Sequence, residues 1–118
     1  MEEKLYTYKA KVVSIYDGDT ITVDIDLGLN TWKRNEKLRL ARINAPEVRG
    51  EEKKEGITSR DFLRLLLNGK EILITTTKKG KYGRYIAEVY YKRGGNEFTE
   101  VNISDLLVSK NFAEYKKY

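Results

Sequence analysis

The stretch Leu38–Glu47 reads Leu-Arg-Leu-Ala-Arg-Ile-Asn-Ala-Pro-Glu and holds the one proline of the chain. It starts as a strand, because Leu38 and Leu40 alternate with Arg39, which then points away from the leucine face. It cannot continue as one. Pro46 has no N–H for a ladder bond and pushes Ala45 toward an extended geometry. The strand is therefore expected to stop near Asn44, with Glu47 on the turn just past it. A cation, an amide oxygen and a carboxylate then share the rim of a sheet. Two other segments, Asp17–Thr20 and Lys81–Arg84, supply partners for them.

The rest of the chain sets elements on either side. Residues Leu5–Tyr16 alternate imperfectly, and the adjacent Val12 and Val13 suggest a bulge or strong twist. Asp17-Gly18-Asp19-Thr20 reads as a turn between strands. Ile21, Val23, Ile25 and Leu27 alternate with Thr22, Asp24 and Asp26, a half-buried strand. Gly28–Glu36 reads as a polar hairpin connection with Trp32 over an edge, and Val48–Lys54 as a mobile charged loop. A helix is expected over Gly56–Asn68, with Thr58 and Asp61 at capping-box spacing and Phe62, Leu63 and Leu66 on one face. Asn68-Gly69 ends it. Strands follow at Glu71–Thr76 and Tyr85–Tyr91, separated by a basic turn over Lys78–Gly83, with a Gly-Gly turn at Lys92–Asn96. A short helix lies within Val101–Phe112, with Ser104 as N-cap and Asn111 as stop. Three strands, a helix, a closing hairpin and a last helix suit an α+β, mainly β fold: a five-stranded antiparallel barrel of the OB type.

Composition narrows the chemistry. At 118 residues the chain suits one domain over 1–118. It contains neither cysteine nor histidine, so disulfides, thiolate metal sites and the usual general base are excluded. Any metal must be held by oxygen, which points to hard ions such as calcium or magnesium. No apolar run approaches ~18 residues, and Met-Glu-Glu-Lys carries no apolar signal region. A monomeric, cytoplasmic protein without a membrane span is expected, with secretion open if a leader was removed. A net charge of +5 and a pI near 9.3 favour polyanion partners.

Taken singly, the candidate segments have plain explanations. Asp17-Gly18-Asp19-Thr20 serves as a hairpin turn, though a turn needs one Asp and the second must point somewhere. Asn44 closes a strand end, and Glu47 is a solvated charge after proline. Lys81-Tyr82-Gly83-Arg84 is a basic loop. Taken together they form a phosphodiesterase kit. Arg39 and Arg84 offer planar forks for phosphate oxygens. A carboxylate near a metal and a free carboxylate supply charge stabilisation and water activation.

These motifs carry a resemblance. Val13-x-x-x-Asp17-Gly18-Asp19-Thr20, then Leu38-Arg39-Leu40 with Ile43-Asn44-Ala45-Pro46-Glu47, then Tyr82-Gly83-Arg84 with Ile86-Ala87, resemble the staphylococcal nuclease (thermonuclease) family in order and spacing. Val101-Asn102 and Phe112-Ala113 resemble its closing pattern, so the likeness runs from about Tyr8 to Ala113. The resemblance implies an OB-fold barrel with helices and a calcium-dependent endonuclease acting on DNA and RNA. By position, Asp19 is the metal carboxylate, Asn44 stands where the family usually has a second metal-binding Asp, and the Ala45 carbonyl completes the protein ligands. Glu47 falls on the general base, Arg39 and Arg84 on the phosphate-gripping arginines. Lys81 and Tyr82 fall where the family contacts a terminal phosphate. The implied reaction leaves a 3′-phosphate.

The chain departs from that pattern in three ways. Asn44 replaces a carboxylate by a neutral amide, which should weaken calcium binding. The sequence ends about where the family's last long helix would begin. Tyr115 and Tyr118 lie near the family's base-stacking tyrosines without aligning with them. Two functions are therefore expected to compete: a metal-dependent nuclease favouring single-stranded DNA or RNA, and a non-catalytic nucleic-acid or protein-binding module on the same fold.

Overall fold

The computed structural model describes residues 6–79, 84–92 and 100–116. The first strand, β1 (Thr7–Asp17), runs antiparallel to β2 (Thr20–Asp26), with a register shift between Val12 and Ser14. That shift is the bulge expected of the adjacent valines. It lets Val12 and Ile15 both reach the core while Val13 stays outside. In β2 the alternation holds: Ile21, Val23 and Ile25 are buried. A turn at Gly28–Thr31 leads into β3 (Trp32–Leu40). This strand starts earlier than expected, because residues 32–37 pair with β2 although their side chains are polar. Trp32 belongs to the strand, and the Arg34 guanidinium lies 4.8 Å from the centre of its ring.

The two-residue strand β4 (Ile43–Asn44) follows, and then a 3₁₀ turn at Gly50–Glu52 runs into helix α1 (Lys53–Leu67). The helix thus begins three residues before Gly56 and takes over part of the expected loop. Thr58 and Asp61 are no capping box. Thr58 lies inside the helix and its hydroxyl donates to the Lys54 carbonyl at 3.0 Å. The first turn is charged and exposed, so it needs no apolar signal, only residues that tolerate a helix. Leu63 and Leu67 are buried, and Gly69 closes the C-terminus with φ +75°.

Strands β5 (Glu71–Lys79) and β6 (Tyr85–Lys92) are antiparallel. Lys78 and Lys79 are in β5 rather than in a turn. The remainder of the expected basic turn, with Lys81 and Tyr82, lies outside the described residues, as does most of the Gly-Gly turn. The short β7 (Glu100–Asn102) leads into α2 (Ile103–Ser109), and β8 (Glu114–Tyr115) pairs back onto β4. The N-cap of α2 is Asn102, whose Oδ1 accepts from the Asp105 N–H at 3.0 Å. Ser104 is instead buried within the helix and donates to the Ala41 carbonyl at 2.8 Å. Asn111, at φ 64°, ends this segment as expected.

Strands β3-β2-β1-β5-β6 form a sheet that closes when β6 pairs with β3. The closing pair is parallel, Leu38–Leu40 against Tyr85–Ala87, so the OB-type barrel is mixed rather than wholly antiparallel. Closure removes both sheet edges at that point. The interior is filled by Val12, Ile21, Val23, Leu38, Leu40, Ile74, Ala87 and Val89, with α1 and α2 adding Leu63, Leu67, Ile103 and Leu107. Just past the closing pair, Arg42 clamps α2 to β6 through Glu88 and Asp105. Among the described residues no helix is long and apolar enough to cross a membrane.

Candidate active site

Three pieces of backbone meet at one end of the barrel: the β1–β2 turn, the 45–47 segment and the first half of α1. Gly18 is where they touch. A Cβ there would lie 2.8 Å from Ala45 Cβ and 2.9 Å from Ser59 Cβ. Ser59, buried in α1, fixes the far side by donating to the Phe112 carbonyl at 2.7 Å. The junction opens into a cleft of about 510 Å³ that Asp19, Arg39, Asn44, Ala45, Glu47 and Arg84 all line. The sequence-derived residues thus come together, with Lys81 and Tyr82 outside the described residues. A hollow of similar size, about 530 Å³, lies beside Leu65, Leu66 and Tyr91. It lacks paired arginines and is not where the chemistry gathers.

Asp19 anchors the cleft and is only 6% exposed. Its Oδ2 accepts from the Ala45 N–H at 2.8 Å and pairs with Arg39 Nη2 at 3.3 Å. Its Oδ1 accepts from the Thr20 hydroxyl at 3.1 Å. A buried charge needs such partners. Thr20 in turn accepts from Arg84 Nη1 at 3.4 Å. On the other side, Arg39 Nη2 also donates to Asn44 Oδ1 at 3.3 Å. One connected chain therefore runs from Arg84 through Thr20, Asp19 and Arg39 to Asn44. Ala45 joins it through its N–H.

Asp17, expected only to form the turn, also lines the cleft. Its Oδ1 accepts from the Asp19 N–H at 3.0 Å. Burial first, and then the hydrogen bond to and charge of Asp19, push its carboxyl up to about 7. Glu52 is another residue missed: its Oε1 accepts from the Glu47 N–H at 3.4 Å. Tyr16 and Arg49 also line the cleft, and Arg49 Nη2 donates to the Tyr16 hydroxyl at 3.2 Å. Gly56, the expected start of the helix, lies within α1, directly under the backbone of Glu47. Only the unexplained second Asp of Asp17–Thr20 gave a local signal for any of these. Tyr115, near the C-terminus, faces other work: its hydroxyl donates to Asp105 at 2.8 Å and its ring lies beside Arg42.

The donors fit a hard divalent cation in kind, since all are oxygens: the carboxylates of Asp17 and Asp19 and the amide of Asn44. They fit it weakly in number. Among the described residues no three acidic side chains are grouped to hold a metal, and Arg39 already bridges Asp19 and Asn44.

The Asp17 pKa carries a pH dependence with a definite sign. Between its ordinary 3.8 and about 7 the native state holds a proton that the unfolded state has lost. That contribution is fully present below the lower value and is lost as pH rises through the upper one. In EDTA the melting temperature is therefore expected to fall as pH rises across this window. Asp17→Asn, which cannot ionise, should flatten the slope; an unchanged slope assigns the dependence to another group.

A protein of Escherichia coli O157:H7 named an uncharacterized endonuclease is 34% identical over 86 residues, covering 73% of this chain and 50% of that protein. An uncharacterized endonuclease of Haemophilus influenzae is 33% identical over 109 residues, covering 92% and 53%. A micrococcal nuclease of Shigella flexneri is 30% identical over 115 residues, covering 94% and 60%. The chain spans about half the length of the first two of these relatives. Residues 37–118, which include Arg39, Asn44, Glu47 and Arg84, match the family described as staphylococcal nuclease homologue, and the chain belongs to that family.

Proposed function

We propose that the chain is a divalent-metal-dependent endonuclease that hydrolyses phosphodiester bonds of DNA or RNA and leaves 3′-phosphate ends. The observation that carries this reading is the convergence of Arg39, Arg84, Asp19 and Glu47 on one cleft. Asp19, Asn44 and Ala45, with Asp17 beside them, are the residues that would hold the cation, calcium by family likeness. Bound there, it supplies Lewis-acid stabilisation of charge on the phosphate. Arg39 and Arg84 grip non-bridging oxygens and hold the phosphorus in line. Their guanidinium groups also stabilise the charge that develops there. Glu47 takes a proton from water as the water oxygen bonds to phosphorus. The bond to the 5′ oxygen breaks, and that oxygen takes up a proton to leave as a hydroxyl. Lys81 and Tyr82 belong to this reading as contacts to a terminal phosphate.

Cleavage of a labelled single-stranded oligonucleotide in EDTA, calcium, magnesium and manganese tests the proposal. Metal-dependent cleavage with 3′-phosphate ends supports it. Tight binding without cleavage in every metal selects the non-catalytic module, which the Asn44 amide favours. Asn44 also gives a prediction of its own. Asn44→Asp adds a third carboxylate and a competitor for the Arg39 fork, and is expected to lower the calcium Kd roughly tenfold or more, since ligand charge tunes oxygen sites over decades. Equal dissociation constants by titration calorimetry remove residue 44 from the metal shell.

A further inference from the structure

The cleft is larger than one phosphodiester group requires, and Tyr16 and Arg49, which also line it, have no part in the mechanism above. They come from different elements and meet at 3.2 Å. Alternation along β1 sends Ile15 into the core and leaves Tyr16 51% exposed. A half-exposed tyrosine on a barrel needs no explanation by itself. This one stands next to Asp17 in the chain, and its partner stands two residues beyond Glu47. Two residues of extended chain reach at most ~7 Å, so the pair is tied close to the groups that handle the scissile phosphate.

An aromatic face and a planar cation at such a place suit one ligand class. A nucleobase stacks on tyrosine whatever its identity, and guanidinium holds a phosphate in two directions at once. The carboxylates of Asp17, Asp19, Glu47 and Glu52 nearby repel a phosphate backbone, so a strand crossing this edge needs a cation on it. A base held in a duplex offers no free face to Tyr16.

We infer that Tyr16 and Arg49 form a subsite for the nucleotide flanking the scissile phosphate, Tyr16 stacking on its unpaired base and Arg49 holding its phosphate. The inference rests on the nuclease reading and names its substrate class: unpaired strands.

The test compares wild type, Tyr16→Leu, Tyr16→Phe and Arg49→Gln on a short single-stranded oligonucleotide and on its abasic counterpart. Kd is read in EDTA, and KM and kcat in the best metal. Tyr16→Leu is expected to raise Kd and KM on the single strand roughly tenfold, the size of one lost stacking contact, with kcat little changed. On the abasic strand wild type and Tyr16→Leu should share one KM. Tyr16→Phe, which keeps the ring, should rescue. Arg49→Gln should reduce the salt dependence of log Kd by about 0.7, one single-strand phosphate contact. A Tyr16→Phe as impaired as Tyr16→Leu makes the pair a loop tether and overturns the subsite, as does an unchanged Kd in Tyr16→Leu. A wild type that cleaves nothing overturns the nuclease reading instead, and the Kd series still decides the subsite.

Discussion

Glu47→Gln is expected to lower kcat by roughly 10²–10⁴-fold, the range typical for loss of a general base, while KM changes little. The amide has the shape of the carboxylate and cannot take a proton from water. Four carboxylates share the cleft region, and their contacts single out this one. Asp19 is engaged at both oxygens by Ala45, Thr20 and Arg39. Asp17 accepts from the Asp19 N–H, and burial with the neighbouring Asp19 raises its pKa to about 7, which keeps it largely protonated in the mildly acidic range. Glu52 accepts from the backbone of Glu47 itself. Among the described residues no hydrogen bond engages the Glu47 carboxylate, which is exposed to the cleft. Single-turnover cleavage, which isolates the chemical step, measures the effect. A folded Glu47→Gln working at the wild-type rate would assign the proton to another acceptor.

The parts of the fold that were legible in the sequence are those dictated by local pattern. Ile21, Val23 and Ile25 are buried as their alternation demands, the valine pair bulges β1, and Pro46 ends the strand pairing at Asn44. Helix starts were misread where the deciding contact was distant. Thr58 and Asp61 have the spacing of a capping box, but Lys53, Lys54 and Glu55 already form an exposed first turn. Ser104 looks like a cap, yet it is drawn inward by the Ala41 carbonyl and leaves the cap to Asn102. The parallel closure of β6 on β3 was hidden for a similar reason. Periodicity gives the faces of a strand and says nothing of the direction of its neighbour.

The site divides along the same line. Asp19, Arg39, Asn44, Glu47 and Arg84 stood out because polar groups cluster at the ends of strands, and the family likeness ordered them. Asp17, Glu52, Tyr16 and Arg49 did not, because each gains its meaning from a partner elsewhere in the chain. Arg49 and Tyr16 are separated by 33 residues and meet through the fold alone.

Gly56 is the strongest instance. In the interior of a helix, Gly→Ala ordinarily stabilises by about 1 kcal/mol. At this position a Cβ would lie 1.9 Å from the Glu47 carbonyl oxygen, 2.3 Å from its carbon and 2.8 Å from the Val48 nitrogen. All three are backbone atoms, so no rotamer change relieves the clash. Either α1 retreats or the 47–48 segment is pushed outward. Overpacking of this kind costs about 1–3 kcal/mol, which offsets the helix gain, and Gly56→Ala should lose up to about 2 kcal/mol net. Its effect on turnover is expected to be larger. A misplacement of about 1 Å at a reacting group can cost about 100-fold, so kcat should fall by that order. KM should move less, because Arg39 and Arg84 are carried by or beside β3 and β6, away from this contact. Stability alone does not account for such a split. Val89→Ala, a truncation in the core at a residue that does not line the cleft, should lower the melting temperature and keep kcat at the wild-type value below it. Equal kcat for Gly56→Ala and wild type, measured where both are folded, would mean that the helix supports the fold without aiming Glu47.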